Sequence, residues 1–197
     1  MSETNIVLLT WDNSSTAYEA FSKFRDLDSA AITIVASAVV ERNDRGQLRV
    51  TDGQDNDLGL STLGGGGIGA LIGILGGPLG VLLGFATGAL IGSTVDAERT
   101  FDADDALTVF SSALPAGRTG VIAEVEETDP AVLDDFAKST GAELLRRPED
   151  EVLDEVAAAK DAAIAAADAA REKAKEAKKA ERKEKREERI AKIKAKL

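Results

Sequence analysis

The sequence predicts an α+β protein in three parts: a compact body, an apolar glycine-rich helical hairpin inserted into it, and a long charged C-terminal helix. Three observations carry this prediction. Short Val- and Ile-rich runs alternate with amphipathic helical stretches on both sides of residues 58–95. Those 38 residues hold no charged side chain, and twelve of the chain's 18 glycines lie between Gly64 and Gly92. After Pro148 there is neither Gly nor Pro, and the strong helix formers Ala, Glu, Lys and Arg dominate.

Residues 5–11 form a short β-rich run and read as a buried strand. Thr16 and Glu19 have capping-box spacing, and Ala17, Phe21, Phe24 and Leu27 recur at helical intervals until Asp28 and Ser29 end the helix. Residues 31–40 are a second strand, 41–46 carry hairpin turn chemistry, and 47–51 alternate as a third strand. Beyond the insertion, Asp102 can cap a helix with the apolar face Ala106, Leu107, Phe110 and Leu114, broken at 115–117. Residues 120–127 are a strand with Val121, Ala123 and Val125 on one face. Asp129 and Pro130 start another helix, an acid at the N-cap and proline at the first helical position, with Val132 and Phe136 inside and Gly141 at its end. A short strand, 142–146, leads to Pro148.

The order is β-α-β-β-[insertion]-α-β-α-β. Its first six elements match the split βαβ pattern of a ferredoxin-like (βαββαβ-type) body, an antiparallel sheet with helices on one face. Without the insertion, segments 1–57 and 96–148 have the length of one ordinary domain.

Several stretches resemble the small bacterial proteins grouped as domain-of-unknown-function family 1269, which are described as uncharacterised membrane proteins. They are the opening run from Asn5 to Asp12, the 39–50 hairpin with Asp44, Arg45 and Gly46 at its turn, the central run from Gly76 to Gly80 (GGPLG), and segment 111–127, where a helix end leads into a strand. The resemblance covers residues 5–148 and leaves out the tail. It implies a ferredoxin-like body and membrane association. The family has no established catalytic residues to carry over.

Within the insertion, two glycine series recur at every fourth residue: Gly65, Gly69, Gly73 and Gly77, then Gly76, Gly80, Gly84, Gly88 and Gly92. Positions four apart share a helix face, and a glycine stripe lets a second backbone approach closely. Ile68, Leu71, Ile72, Leu75, Leu79, Leu82, Phe85 and Ile91 fill the remaining positions. Twelve helical glycines cost on the order of 12 kcal/mol relative to alanine, so burial in a bilayer or in protein has to offset them. Gly76, Gly77 and Pro78 suit the hairpin turn, leaving arms at 58–76 and 79–95. At about 1.5 Å per residue the arms reach roughly 28 and 25 Å, slightly short of a ~30 Å bilayer core. Acidic Asp55, Asp57, Asp96 and Glu98 outnumber Arg99 at the flanks, against the positive-inside pattern. Two placements therefore stay open: a hairpin in the membrane, or one buried among copies of itself in a water-soluble oligomer. Both require self-association.

The charge pattern agrees with this division. The formal net charge is −11, with neither His nor Cys. Residues 1–150 hold ten Lys and Arg against 24 Asp and Glu, whereas 171–197 hold 13 against six. Without Cys or His there is no disulfide framework, cysteine nucleophile, Cys/His zinc site, imidazole base or Ser-His-Asp triad. The N-terminal apolar run is too short for a signal peptide, so a cytoplasmic body is expected.

Other candidates are weaker. Gly64, Gly66 and Gly69 fit G-x-G-x-x-G, but no strand precedes them and the next acid is Asp96. Asp52, Asp55 and Asp57 lack the glycine and terminal Glu of an EF-hand loop and read as a solvated acidic loop. Glu124 and Glu126, with Glu127 beside them, read as a solvent-facing strand surface. Trp11 and Tyr18 read as core or core-edge residues, and Ser14, Ser15 and Thr16 as capping groups.

The tail, 149–197, has no large apolar residue between Ala165 and Arg189, which excludes a coiled-coil seam there. Val152, Leu153 and Val156 can dock its start. Lys192, Lys194 and Lys196, beside Ile190, Ile193 and Leu197, are candidates for contact with an anionic surface. The lack of aromatics disfavours nucleic acid.

The expectation is a non-enzymatic, self-assembling protein with a structural or stress-related role. No catalytic, cofactor-binding or metal-ligating residue is assigned. Its partners are other copies of itself and a lipid bilayer, with the body at the cytoplasmic membrane. A soluble ring or shell with hairpins buried between subunits is the alternative, and a small-ligand-binding ferredoxin-like dimer is a second one.

Overall fold

The structure, a computed structural model, describes residues 3–55, 67–76 and 104–194. The fold is α+β. Five strands, β1 (Glu3–Thr10), β2 (Ile32–Arg42), β3 (Leu48–Asp55), β4 (Thr119–Glu127) and β5 (Glu143–Pro148), form one antiparallel sheet in the order β3-β2-β4-β1-β5. The helices are α1 (Ser14–Phe24), α2 (Gly67–Gly76), α3 (Ala106–Ala113), α4 (Ala131–Thr140) and α5 (Glu149–Lys194). The chain divides into two units, Met1–Ala159 and Lys160–Leu197. The first unit therefore runs past Pro148 into the opening turns of α5.

β1-α1-β2 straddles β4, and β4-α4-β5 straddles β1. β1 lies between β4 and β5, while β3 is an edge strand paired only with β2. The interlocked set is thus β1, α1, β2, β4, α4 and β5, not the first six elements of the chain. The 48–55 strand is instead the outer half of a hairpin.

Helices cover both faces of the sheet, unlike the one-faced arrangement expected from sequence. On the first face, Val7, Leu9, Val39, Val121, Ala123 and Val125 pack with Phe21 and Phe24 of α1 and Leu133 and Phe136 of α4. The Phe24 and Phe136 rings meet edge to face, centroids 5.8 Å apart. On the second face, Ile6, Leu8, Ala38, Val40 and Ile122 pack with α2, with Leu107 and Phe110 of α3, and with Val152, Val156 and Ala159 of α5. Both faces are apolar because the residues alternating along β1, β2 and β4 are apolar on each side. Val35 is an extra residue in β2: Ile34 pairs with Val125 and Ala36 with Glu124. This bulge switches facing along the strand, so Ile32 and Ile34 serve the first cluster while Ala38 and Val40 serve the second.

Local chemistry sets the helix ends. α1 starts earlier than the Thr16/Glu19 spacing suggests, because Asn13, in an extended conformation, accepts the Ser15 N–H at 2.8 Å. Glu19 instead pairs with Lys23. α4 begins at Ala131 with Pro130 at its N-cap position, one residue later than expected, and Asp129 still accepts the Ala131 N–H at 3.0 Å. Gly141, at φ 71°, ends that helix, with Ala142 N–H donating to Ala137 C=O and Gly141 N–H to Lys138 C=O, the paired bonds of a Schellman motif. Asp102 lies outside the described residues. α3 begins at Ala106, and Asp105 occupies its N-cap position without a side-chain capping bond.

Candidate functional site

The part of the glycine-rich segment that the structure describes is α2. Its ten residues form a helix whose Ile68, Leu71 and Leu75 are at most 1% exposed, against the second face of the sheet. These positions follow i, i+3, i+7 spacing and so share one stripe. Burying three such side chains stabilises by roughly 5–9 kcal/mol, against about 2 kcal/mol for the interior glycines Gly69 and Gly73. Protein burial alone therefore offsets the glycine penalty of this helix.

The glycines do not line that contact. Gly73 is exposed on the side of α2 away from Ile68, Leu71 and Leu75, and a Cβ placed on it would meet nothing within 4 Å, whereas Gly69 is half-buried. Gly76, the last residue of α2, is the exception. Its Cβ position lies 3.3 Å from Leu48 Cβ and Leu48 O, so the end of α2 approaches β3 closely. Gly76 of the predicted turn is thus helical, while Gly65, Gly77, Pro78, Gly80, Gly84, Gly88 and Gly92 lie outside the described residues, and with them the rest of that turn and the second arm. Among the described residues no helix is long and apolar enough to cross a membrane.

The start of α3, on the C-terminal side of the glycine-rich segment, is fastened by charged groups. Glu155 of α5 accepts the N–H groups of Ala106 and Leu107 at 2.8 and 2.9 Å, taking the capping role left open by Asp105. A carboxylate here satisfies two first-turn donors and complements the positive end of the helix dipole. Arg147 donates to Asp104 C=O at 3.2 Å and lies 3.8 Å from Glu151. No local spacing links residues 106 and 155, so the sequence carries no signal for this bond.

Two buried charges were also hidden in the sequence. Arg42, expected in a turn, closes β2 with 1% exposure; its Nη1 donates to Gly46 C=O at 3.1 Å and its Nη2 to Ser111 Oγ at 3.3 Å. Burial lowers its pKa from the ordinary arginine value. Glu127, expected on a solvated strand face, is 3% exposed and accepts two bonds from Arg146 and one from Asn5 Nδ2 at 3.1 Å. Arg146 also donates to Asp134 at 2.9 Å. Burial works against the Arg146 charge, but hydrogen bonds and charge from Glu127 and Asp134 outweigh it and raise the pKa. Glu124 is half-buried and Glu126 exposed, on the opposite side of β4 from Glu127.

Beside this ion cluster lies a hollow of about 260 Å³ lined by Asp134, Ala137, Lys138, Ala142, Leu144 and Arg146. It is smaller than the ~300–1,000 Å³ of ordinary ligand pockets. Two of its lining charges, Asp134 and Arg146, are engaged with each other. Among the described residues no three acidic side chains are grouped so as to hold a metal ion. Trp11 is buried and donates from Nε1 to Thr140 C=O at 3.1 Å, while Tyr18 is 39% exposed and donates to Thr51 Oγ1 at 2.8 Å. Neither forms part of an open aromatic platform. Asp52 and Asp55 belong to β3, and Asp57 lies outside the described residues.

Lys192 and Lys194 fall within α5, and Lys196 lies outside the described residues. No family model, curated protein or solved structure matches this chain.

Proposed function

We propose that this protein is a non-enzymatic, self-assembling protein that associates with the cytoplasmic membrane through its glycine-rich segment and serves a structural or stress-related role. The uncharged, glycine-periodic stretch 58–95 carries this reading. The orientation of α2 supports it: Ile68, Leu71 and Leu75 are buried on the body, and the exposed side bearing Gly73 is left for close approach by another backbone. The body on this reading is ferredoxin-like with an inserted hairpin, a view favoured by the interlocked β1-α1-β2 and β4-α4-β5 units. The likeness to domain-of-unknown-function family 1269 belongs to the same proposal.

A second reading, a soluble ring or shell with the apolar segments buried between subunits, gains from one observation. The described part of the segment packs on protein, within a ten-residue helix of about 15 Å. The small-ligand-dimer reading gains nothing comparable from the hollow beside Arg146.

Detergent-free lysis, vesicle flotation and sizing in plain buffer separate these readings. Membrane association expects the protein to float and to self-associate. A large discrete particle free of lipid would favour the shell, and a soluble monomer would sink both. The deletion to use is 79–95, because removing all of 58–95 would strip Ile68, Leu71 and Leu75 from the core.

A further inference from the structure

The second unit carries a feature that net charge conceals. At about 100° per residue, Arg171, Lys175, Lys178, Arg182 and Lys185 fall within an arc of roughly 80° on α5, four and three residues apart in turn. All five are exposed. Glu172, Glu176 and Glu181 fall outside that arc, on the flanks and the far side. Arg171 pairs with Asp168 at 3.2 Å, Lys175 with Glu172 at 2.6 Å, and Lys185 with Glu181. Those pairs are solvent-exposed, so salt screens them and a denser anionic partner can displace them.

We propose that this cationic stripe lies against an anionic lipid surface. The stripe is about 21 Å long and confined to one side of the helix, which suits a flat array of phosphate and carboxylate headgroups. A helix in a nucleic-acid groove has phosphates on both flanks, where Glu172, Glu176 and Glu181 would repel them. Residues 160–197 also contain no aromatic side chain for base stacking. This contact adds to the membrane association proposed above and uses different residues, and the two can fail separately.

The test is flotation of the full-length protein with phosphatidylcholine vesicles and with mixed phosphatidylcholine/phosphatidylserine vesicles, at low and high salt. The proposal expects a preference for the anionic vesicles that salt abolishes. Replacing Lys175, Lys178 and Arg182 with glutamine should cut that preference on the order of a hundred-fold, at about five-fold per cation. Glutamine is a good helix former, and circular dichroism verifies that the helix persists. The off-stripe set Lys173→Gln, Lys179→Gln and Lys183→Gln removes the same charge and should leave most of the preference. The charge-conserving set Lys175→Arg, Lys178→Arg and Arg182→Lys should leave all of it. Equal losses in both glutamine sets, no preference for anionic vesicles, or stripe-dependent binding to an RNA duplex alone would overturn the proposal. Binding to neutral vesicles reports on the apolar segment, so its absence would count against that reading and not this one.

Discussion

Arg146 grips the buried carboxylate of Glu127 at two points, Nε to Oε2 at 2.8 Å and Nη2 to Oε1 at 3.0 Å. The Glu127 side chain is 1% exposed and that of Arg146 25%. Removing one partner strands a buried charge, so Arg146→Met should destabilise the body by roughly 3–5 kcal/mol. Arg146→Met combined with Glu127→Leu should cost less than the sum of the two single changes, because neither charge is then left alone. Urea unfolding of the four proteins closes the cycle, and strict additivity would mean that the pair is not coupled.

Glu155 should matter to α3 although 49 residues separate it from Ala106. Glu155→Ala should cost about 1.5–3 kcal/mol per charge-assisted bond at most and raise amide exchange at Ala106 and Leu107. Truncation after Ala159 keeps this bond together with Val152 and Val156, so the melting transition should persist. Truncation after Pro148 removes all three and should lower it by many degrees.

α2 offers a paired test of packing against assembly. Leu71 is fully buried, and Leu71→Ala should cost about 2–5 kcal/mol. Gly73 faces open space, so Gly73→Ala should stabilise the isolated chain by up to about 1 kcal/mol through helix propensity. If the glycine side is an assembly surface, the same methyl should weaken self-association. Sedimentation velocity reads that, and unchanged assembly would exclude Gly73 from the contact.

Glu19 gives a small pH effect whose sign is fixed. The hydrogen bond and charge of Lys23 hold its carboxyl below the ordinary glutamate value. The contribution is therefore complete above the ordinary carboxylate range and fades as pH falls through the lowered pKa. The pair is on the surface, so added salt should suppress it. NMR titration should show the Glu19 pKa return to its ordinary value in Lys23→Gln.

What could be read from the sequence follows from how local each cause is. The Asp129 start and Gly141 stop of α4 were legible because the bonding groups lie within a few residues. The apolar alternation of Val121, Ala123 and Val125 was legible for the same reason. The place of β4 between β1 and β2 was not, since hairpin adjacency favoured β3. The reversal of facing at Val35 depends on register with Val125 and Glu124 and leaves no mark in the β2 sequence. Arg42 and Glu127 resembled surface charges because each stands beside another charged residue, Glu41 and Glu126. Their burial is set by distant partners, Ser111 and Arg146. The glycine series of the candidate site was visible, but not which side of α2 it occupies, because Ile68, Leu71 and Leu75 compete with Ile72 and Ile74 for the same core.

α2 on one side, and Glu155 with Arg147 on the other, hold Gly76 and Asp104 on one unit. Lengthening a connection between two fixed anchors costs only about 0.6 kcal/mol per doubling of its length. A folded reporter domain spliced between Gly76 and Asp104 should therefore leave the sheet's unfolding transition in place, and loss of that transition would make the residues between the two anchors part of the body.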